Sequence, residues 1–140
     1  MTTAATTNVT PGDSAWRSFF LVAALYDIIL GIGFFFLYGP LFSMLGIELP
    51  GNTSYIHLTA GFVFVQGVGY WLVYQDPAAN LGIVKLGIIY KAIFAGLGFY
   101  YLAIGQLLHP VFLVFAVADL GFLVGFWLFL RRTSEQPAAG

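Results

Sequence analysis

Four polar side chains lie at similar depths in four apolar stretches of this chain. Asp27, Gln66, Lys91 and Asp119 each fall in a stretch of about 20 mainly apolar residues, the length that crosses a bilayer as a helix. At about 1.5 Å per residue, each lies roughly 14–15 Å from a helix end, inside a hydrocarbon core of about 30 Å. Lysine at this depth costs at least roughly 2.5–3.5 kcal/mol, so its ammonium should face a partner. We predict that Lys91 bridges Asp27 and Asp119, and that Gln66 satisfies their remaining oxygens.

This polar layer has two interpretations, and both stay open. Buried polar groups join membrane helices and fix their rotation, with about 0.6–2 kcal/mol from each hydrogen bond. Ionisable residues inside a membrane are also candidates for ligand or proton sites. The two roles are compatible. No sequence motif for a known catalytic chemistry is present, so no residue is assigned a catalytic role.

The composition identifies an integral membrane protein. Of its 140 residues, 60% are hydrophobic and 8% are charged, whereas about 25% of residues in soluble domains are charged. The apolar residues fall into four blocks within a length that suits one domain, which predicts an all-α transmembrane four-helix bundle in contact with the lipid bilayer. The absence of cysteine excludes disulfides and thiolate metal sites on this chain. A net charge of -1 argues against a nucleic-acid surface.

Turn residues and polar ends divide the chain into segments. Residues 1–14 are polar and contain no Lys or Arg, which predicts a disordered tail and not a signal peptide. The transmembrane domain is predicted over residues 15–132, followed by a flexible tail over residues 133–140. Turns that contain Gly and Pro separate the apolar blocks. The predicted helices span residues 15–38, 55–74, 81–105 and 110–131, with a short interfacial segment over residues 41–54.

The positive charges predict the orientation of the helices. All of them lie nearer the helix ends that border the N-terminus, the second loop or the C-terminus: Arg17, Lys85, Lys91, Arg131 and Arg132. Cytoplasmic loops carry an excess of Lys and Arg. We therefore expect a multi-pass protein of the cell membrane with both termini in the cytoplasm (N-in/C-in).

The two histidines are weak candidates for metal ligands. His57 and His109 lie near helix ends on the predicted non-cytoplasmic side, with only Glu48 as a further ligand nearby. A protein zinc site normally uses three or four side-chain ligands. No metal site is predicted, and no cofactor is assigned.

Small residues line one face of the fourth predicted helix. Ala118, Gly121 and Gly125 lie about opposite Asp119, and small residues at this spacing let helices approach closely. The face could pack on a neighbouring helix of the same chain, which is the favoured interpretation. It could also be a seam with a second copy of the chain or with another membrane-protein subunit.

Several short motifs follow one another in a recognisable order. They are Leu25-Tyr26-Asp27 before a Gly- and Phe-rich helix, a first loop with Leu-Gly-Ile and Pro, Gly67-x-Gly69-Tyr70-Trp71 before Asp76-Pro77, and Gly87-x-x-x-Lys91. This order resembles the small four-helix bacterial membrane proteins called DoxX-like, over most of residues 24–131. The resemblance implies the four-helix topology and an association with oxidoreductase complexes in some members. It carries over no catalytic residue.

Two functions are predicted from these features. The first is an accessory or structural subunit of a larger membrane complex, which packs through its transmembrane helices on other subunits or on a second copy. The alternative is a protein that binds a lipophilic small molecule (quinone, sterol or pigment-like) or handles protons at Asp27, Lys91 and Asp119. Aromatic residues make up 19% of the chain and could line a pocket for such a ligand, although they more often fill lipid-facing surface and helix contacts. The candidates are Phe35, Phe36, Phe62, Phe64, Phe122, Phe126, Trp127 and Phe129.

Overall fold

Helices form all the regular structure that the computed structural model describes, which covers residues 11–136. The helices are α1 (Pro11–Phe36), α2 (Tyr38–Leu45), α3 (Ser54–Gln75), α4 (Leu81–Ala103) and α5 (Val111–Glu135). All except α2 are long and apolar enough to cross a membrane. The predicted all-α architecture with four transmembrane helices is therefore confirmed.

The outer helices extend further than the sequence predicts. Residues 1–10 and 137–140 of the predicted tails lie outside the described residues, but α1 already begins at Pro11. Proline suits a first helical turn because its missing N–H needs no partner there. At the other end α5 continues to Glu135, where Thr133 Oγ1 donates to the carbonyl of Phe129 (2.9 Å). Residues 11–14 and 133–135 are therefore helical.

The predicted interfacial segment over residues 41–54 contains part of α2. The helical conformation is interrupted at Leu37, between α1 and α2. Pro40 lies in the first turn of α2, where proline is tolerated. Gly46 ends the helix in the left-handed conformation (φ 67°), and its N–H donates to the carbonyl of Ser43 (3.1 Å). Only glycine adopts this conformation at little cost, so the sequence sets the end of α2.

The long helices associate as two close pairs, α1 with α3 and α4 with α5. In the first pair, a Cβ on Gly31 would lie 2.7 Å from the backbone nitrogen of Phe64, and one on Gly67 would lie 2.7 Å from that of Ile28. In the second pair, a Cβ on Gly98 would lie 2.7 Å from the Cβ of Ala116. Glycine at these positions lets the backbones within each pair approach closely.

The two pairs pack on each other mainly in one half of the bundle. We call the end where α1 begins and α5 ends the basic end, because it carries Arg17, Lys85, Arg131 and Arg132; the opposite end is the α2 end. The buried apolar core lies in the half at the basic end and consists of Phe20, Ala23, Ala24, Tyr70, Val73, Val84, Phe126 and Phe129. Arg17 ties α1 to α3 there, since its Nε donates to the carbonyl of Tyr74 (3.0 Å).

The outward faces of the long helices are apolar. Each helix exposes large aliphatic side chains, such as Ile29 on α1, Leu58 on α3, Ile89 on α4 and Val114 on α5, all more than half exposed. A soluble monomer rarely leaves such continuous apolar surface in water. This surface is suited to contact with lipid.

Candidate functional site

Three helices bring charged side chains together at the middle of the bundle. Lys91 on α4 donates from Nζ to both oxygens of Asp27 on α1, at 2.8 and 3.0 Å, and to Oδ1 of Asp119 on α5, at 2.8 Å. We call Asp27, Lys91 and Asp119 the charge cluster. It links the α1–α3 pair to the α4–α5 pair, as Lys91 was expected to do.

The charge cluster is shielded from solvent. Asp27 and Lys91 are each 1% exposed, and Asp119 is 6% exposed. An ammonium has three N–H donors, and the three carboxylate oxygens that accept from Lys91 occupy all of them. Buried ions need such complete pairing because taking them from water costs several kcal/mol each. With all three groups ionised, two carboxylates and one ammonium leave the cluster with an excess negative charge.

Aromatic rings surround the ammonium. Lys91 Nζ lies 5.2–5.7 Å from the ring centres of Tyr26, Tyr70, Tyr90 and Phe122. Ring faces attract a cation at this distance. The rings therefore stabilise the lysine as a cation and exclude lipid and water from it.

Two tyrosine hydroxyls beside the charge cluster are buried without a hydrogen-bond partner among residues 11–136. They belong to Tyr26 and Tyr70. Tyr70 is fully buried, and its ring lies over Gly87, where a Cβ would approach the phenol oxygen to 2.9 Å. Leaving such a group unpaired costs about 1–3 kcal/mol. The centre of the bundle therefore contains buried polar groups, and two of them have no hydrogen-bond partner within the described residues.

Gln66 does not join the charge cluster, contrary to the predicted role. It is half-buried on α3 and makes no hydrogen bond within the described part of the chain. The rotation of α3 is fixed by the close contact of Gly67 with α1. Adjacent residues point about 100° apart on a helix, so Gln66 is turned aside and α3 contributes Tyr70 instead. Tyr70 was not among the residues predicted for the polar layer, and the sequence signal for it is Gly87, which leaves space for its ring.

A cavity of about 540 Å³ lies next to the charge cluster, toward the α2 end. Asp27, Asp119, Tyr26 and Tyr90 line its inner end. Apolar and aromatic side chains from all four long helices form its walls, among them Leu30, Phe34, Val63, Phe94, Phe112 and Phe115. Tyr55, Tyr101 and Gln106 lie nearest the α2 end.

The charge cluster separates a closed half of the bundle from an open one. Along α1, Ala23 and Ala24 belong to the apolar core, Asp27 to the cluster, and Leu30 and Phe34 to the cavity wall. The other long helices show the same division. The cluster is therefore approached from the cavity and is sealed toward the basic end.

The two histidines, the weak candidates for metal ligands, lie at the α2 end. The ring of His57 packs edge-on against Phe35 and Tyr38, with ring centres 4.9 and 5.0 Å apart. His109 accepts a hydrogen bond at Nδ1 from the N–H of Val111 (3.1 Å), at the start of α5. Among residues 11–136, no three His, Cys, Asp or Glu side chains group as metal ligands.

The small-residue face of α5 divides into two parts. Gly125 contacts the ring of Phe19 on α1 of the same chain, so this part is internal packing. Gly121 is exposed and has open space around it, and Ala118 is half-buried. A seam with another chain stays a prediction that concerns Gly121.

No protein-family model, no curated protein and no solved structure matches this chain. The charge cluster and the cavity are therefore the features of this chain that bear on its function.

Proposed function

We propose that this protein binds a lipophilic small molecule from the membrane in the cavity, with the polar end of the ligand at the charge cluster. The observation that carries the proposal is the position of the cluster at the inner end of an apolar cavity of about 540 Å³. Ligand sites have volumes of about 300–1,000 Å³ and combine apolar walls with a few polar groups that orient the ligand. The cavity has both properties.

The exposure of Asp119 supports a binding role over a purely structural one. Asp27 and Lys91 are almost completely enclosed, but the side chain of Asp119 is 9% exposed and lines the cavity. A cluster that served only to join helices would not need a carboxylate that faces a cavity. Replacing buried ion pairs with apolar residues is often neutral or stabilising. The accessible carboxylate thus favours contact with a ligand.

The dimensions of the cavity suit an elongated molecule. Tyr90 and Tyr101 both line it and both lie on α4, which places them about 16 Å apart at the helical rise. A ligand of this length, with one polar end and an apolar body, fits the quinone, sterol and pigment-like classes suggested by the sequence. Its apolar body would lie against the aromatic walls.

Other predictions are compatible with this proposal. If the positive charges set an N-in/C-in orientation, the basic end faces the cytoplasm and the cavity lies in the outer leaflet. The function as an accessory subunit stays a prediction, and exposed Gly121 is where another transmembrane helix could approach α5. The relation to DoxX-like proteins also stays a prediction.

Two matched substitutions on α3 test the proposed function. Val63 lines the cavity, whereas Val65, two residues further, is 62% exposed on the outer face. Val63→Trp should fill the cavity, and Val65→Trp adds the same bulk toward lipid. Each variant and the wild type would be purified in mild detergent, and the bound small molecules extracted and analysed by mass spectrometry.

The expected result is a small molecule present at about one per chain in the wild type and in Val65→Trp and depleted in Val63→Trp. All three proteins should elute as folded species at the same volume. Identical extracts from the three proteins would overturn the proposed function, because filling the cavity would then have displaced nothing.

A further inference from the structure

The hydrogen bonds of the charge cluster restrict which polar group a ligand can present. Lys91 has no N–H left for a ligand, since its three donors meet three carboxylate oxygens. Both oxygens of Asp27 are also engaged by Lys91. The cation of the cluster is therefore unavailable to an acidic ligand.

Asp119 is the group of the cluster that remains open to a ligand. Lys91 engages its Oδ1 alone, and its Oδ2 accepts no hydrogen bond from the described residues. The side chain lines the cavity and retains 9% exposure. A carboxylate oxygen accepts hydrogen bonds and cannot donate them when ionised. The cavity thus offers an acceptor at its inner end, next to a cluster with excess negative charge.

We propose that the cavity selects a lipophilic cation, an elongated apolar molecule whose inner end is a protonated amine that donates a hydrogen bond to Asp119 Oδ2. This inference rests on the proposed function and replaces the neutral quinone and sterol classes with amines of the same elongated shape. The added positive charge would balance the two carboxylates against two cations. A buried charge is tolerated when it is paired and hydrogen-bonded in this way.

The walls next to Asp119 also suit a cation. Tyr26 and Tyr90 line the cavity at the level of the cluster, and Phe115 lies one helical turn from Asp119 toward the α2 end. Their ring faces attract an ammonium group. An acidic ligand such as a fatty acid would instead place a carboxylate beside two others with no free cation in reach, which is unfavourable at low dielectric.

Three probes with the same apolar body separate charge from hydrophobicity. They are dodecylamine, dodecanol and dodecanoic acid, which present a cation, a neutral hydroxyl and a carboxylate at neutral pH. The full chain would be placed in phosphatidylcholine nanodiscs, and the binding of each isotope-labelled probe measured at equilibrium. Binding to the cavity is the amount of probe bound by the wild type minus the amount bound by Val63→Trp. This subtraction removes the probe that partitions into the bilayer.

Dodecylamine should bind in the cavity at least about tenfold more tightly than dodecanol, because the hydrogen bond to a carboxylate is charge-assisted. Dodecanoic acid should bind most weakly. Equal binding of dodecylamine and dodecanol, or stronger binding of dodecanoic acid, would overturn the inference and leave the proposed function standing. If none of the probes distinguishes the wild type from Val63→Trp, the proposed function fails on this test and the inference fails with it.

A matched pair of neutralised carboxylates tests the role of Asp119. Asp119→Asn removes the charge beside the cavity, and Glu48→Gln removes one from an exposed side chain near the α2 end. The preference for dodecylamine over dodecanol should fall about tenfold in Asp119→Asn and stay unchanged in Glu48→Gln. An unchanged preference in a folded Asp119→Asn would overturn the inference. The wild-type probe series decides the question if Asp119→Asn does not fold.

Discussion

Lys91→Met is the substitution that tests the centre of this structure most directly. Methionine has a similar length and fills similar space, but it removes the ammonium and the three hydrogen bonds that this group donates. Asp27 and Asp119 would then face each other across a buried, low-dielectric site without a cation. Removing one partner of a buried ion pair typically destabilises a protein by about 3–5 kcal/mol.

The effect should be measurable as a fall in thermal stability. Using the scaling for soluble domains of similar length, about 3–5 kcal/mol corresponds to a decrease in Tm of roughly 10–20 °C. The assay is thermal unfolding in mild detergent, followed by near-UV circular dichroism. Lys85→Met is the matched control, because Lys85 is an exposed lysine near the basic end of the same helix. Its Tm should stay close to the wild-type value, as exposed substitutions change stability by about 0.5 kcal/mol or less.

A third variant separates structural from functional roles of the charge cluster. The combined change Asp27→Asn, Lys91→Met and Asp119→Asn leaves no unpaired charge, so its Tm should recover most of the loss in Lys91→Met. The recovered protein should nevertheless lose the small molecule that copurifies with the wild type. A wild-type Tm for Lys91→Met would refute the reasoning, because it would mean that the lysine is not paired inside the bundle.

Three further predictions concern packing and orientation. Gly67→Leu should destabilise the protein by about 1–3 kcal/mol and lower its Tm, because the added Cβ would meet the backbone of α1. Gly61→Leu is the control on the same helix, and its Tm should stay unchanged because the space around Gly61 is open. Gly125→Leu should lower the Tm as well, because Gly125 packs on Phe19. Gly121→Leu should keep the wild-type Tm and, if the exposed face binds a partner, reduce the size of the assembly on native gels. An unchanged size would exclude that seam. A topology reporter inserted at Gly51 should be extracellular and one fused to the C-terminus cytoplasmic, and the opposite result would reverse the proposed orientation.

The sequence predicted the helices and the pairing of Lys91 with two carboxylates well, for physical reasons. Apolar stretches of membrane-spanning length have few alternatives to helix in a bilayer. A lysine in such a stretch requires a partner, and Asp27 and Asp119 were carboxylates at matching depth. Depth can be counted from the helix ends, so the sequence shows which residues lie at the same level of the membrane.

The rotation of the helices and the cavity could not be predicted in the same way. Gln66 matches the charge cluster in depth, yet the contact of Gly67 with α1 turns it away. Helix rotation depends on which glycine meets which neighbouring backbone, and α3 has several glycines that could serve. The cavity depends on the distance between helix pairs, which is a property of packing and leaves no motif. None of the aromatic residues named from the sequence as a possible pocket lining lines the cavity, whose rings include Phe34, Phe94, Phe112 and Phe115.

The distribution of small and large residues explains why the cavity lies on one side of the charge cluster. Glycines bring the backbones together within each helix pair, as at Gly31 and Gly98, so each pair is narrow. Between the pairs, the core at the basic end is filled by stacked and edge-on rings such as Phe20 and Phe126 (5.4 Å between centres). Toward the α2 end, the rings of Phe34 on α1 and Phe115 on α5 are further apart, with 6.2 Å between their centres. The filled half holds the charge cluster in place, and the unfilled half leaves one carboxylate of that cluster accessible, as the proposed ligand site requires.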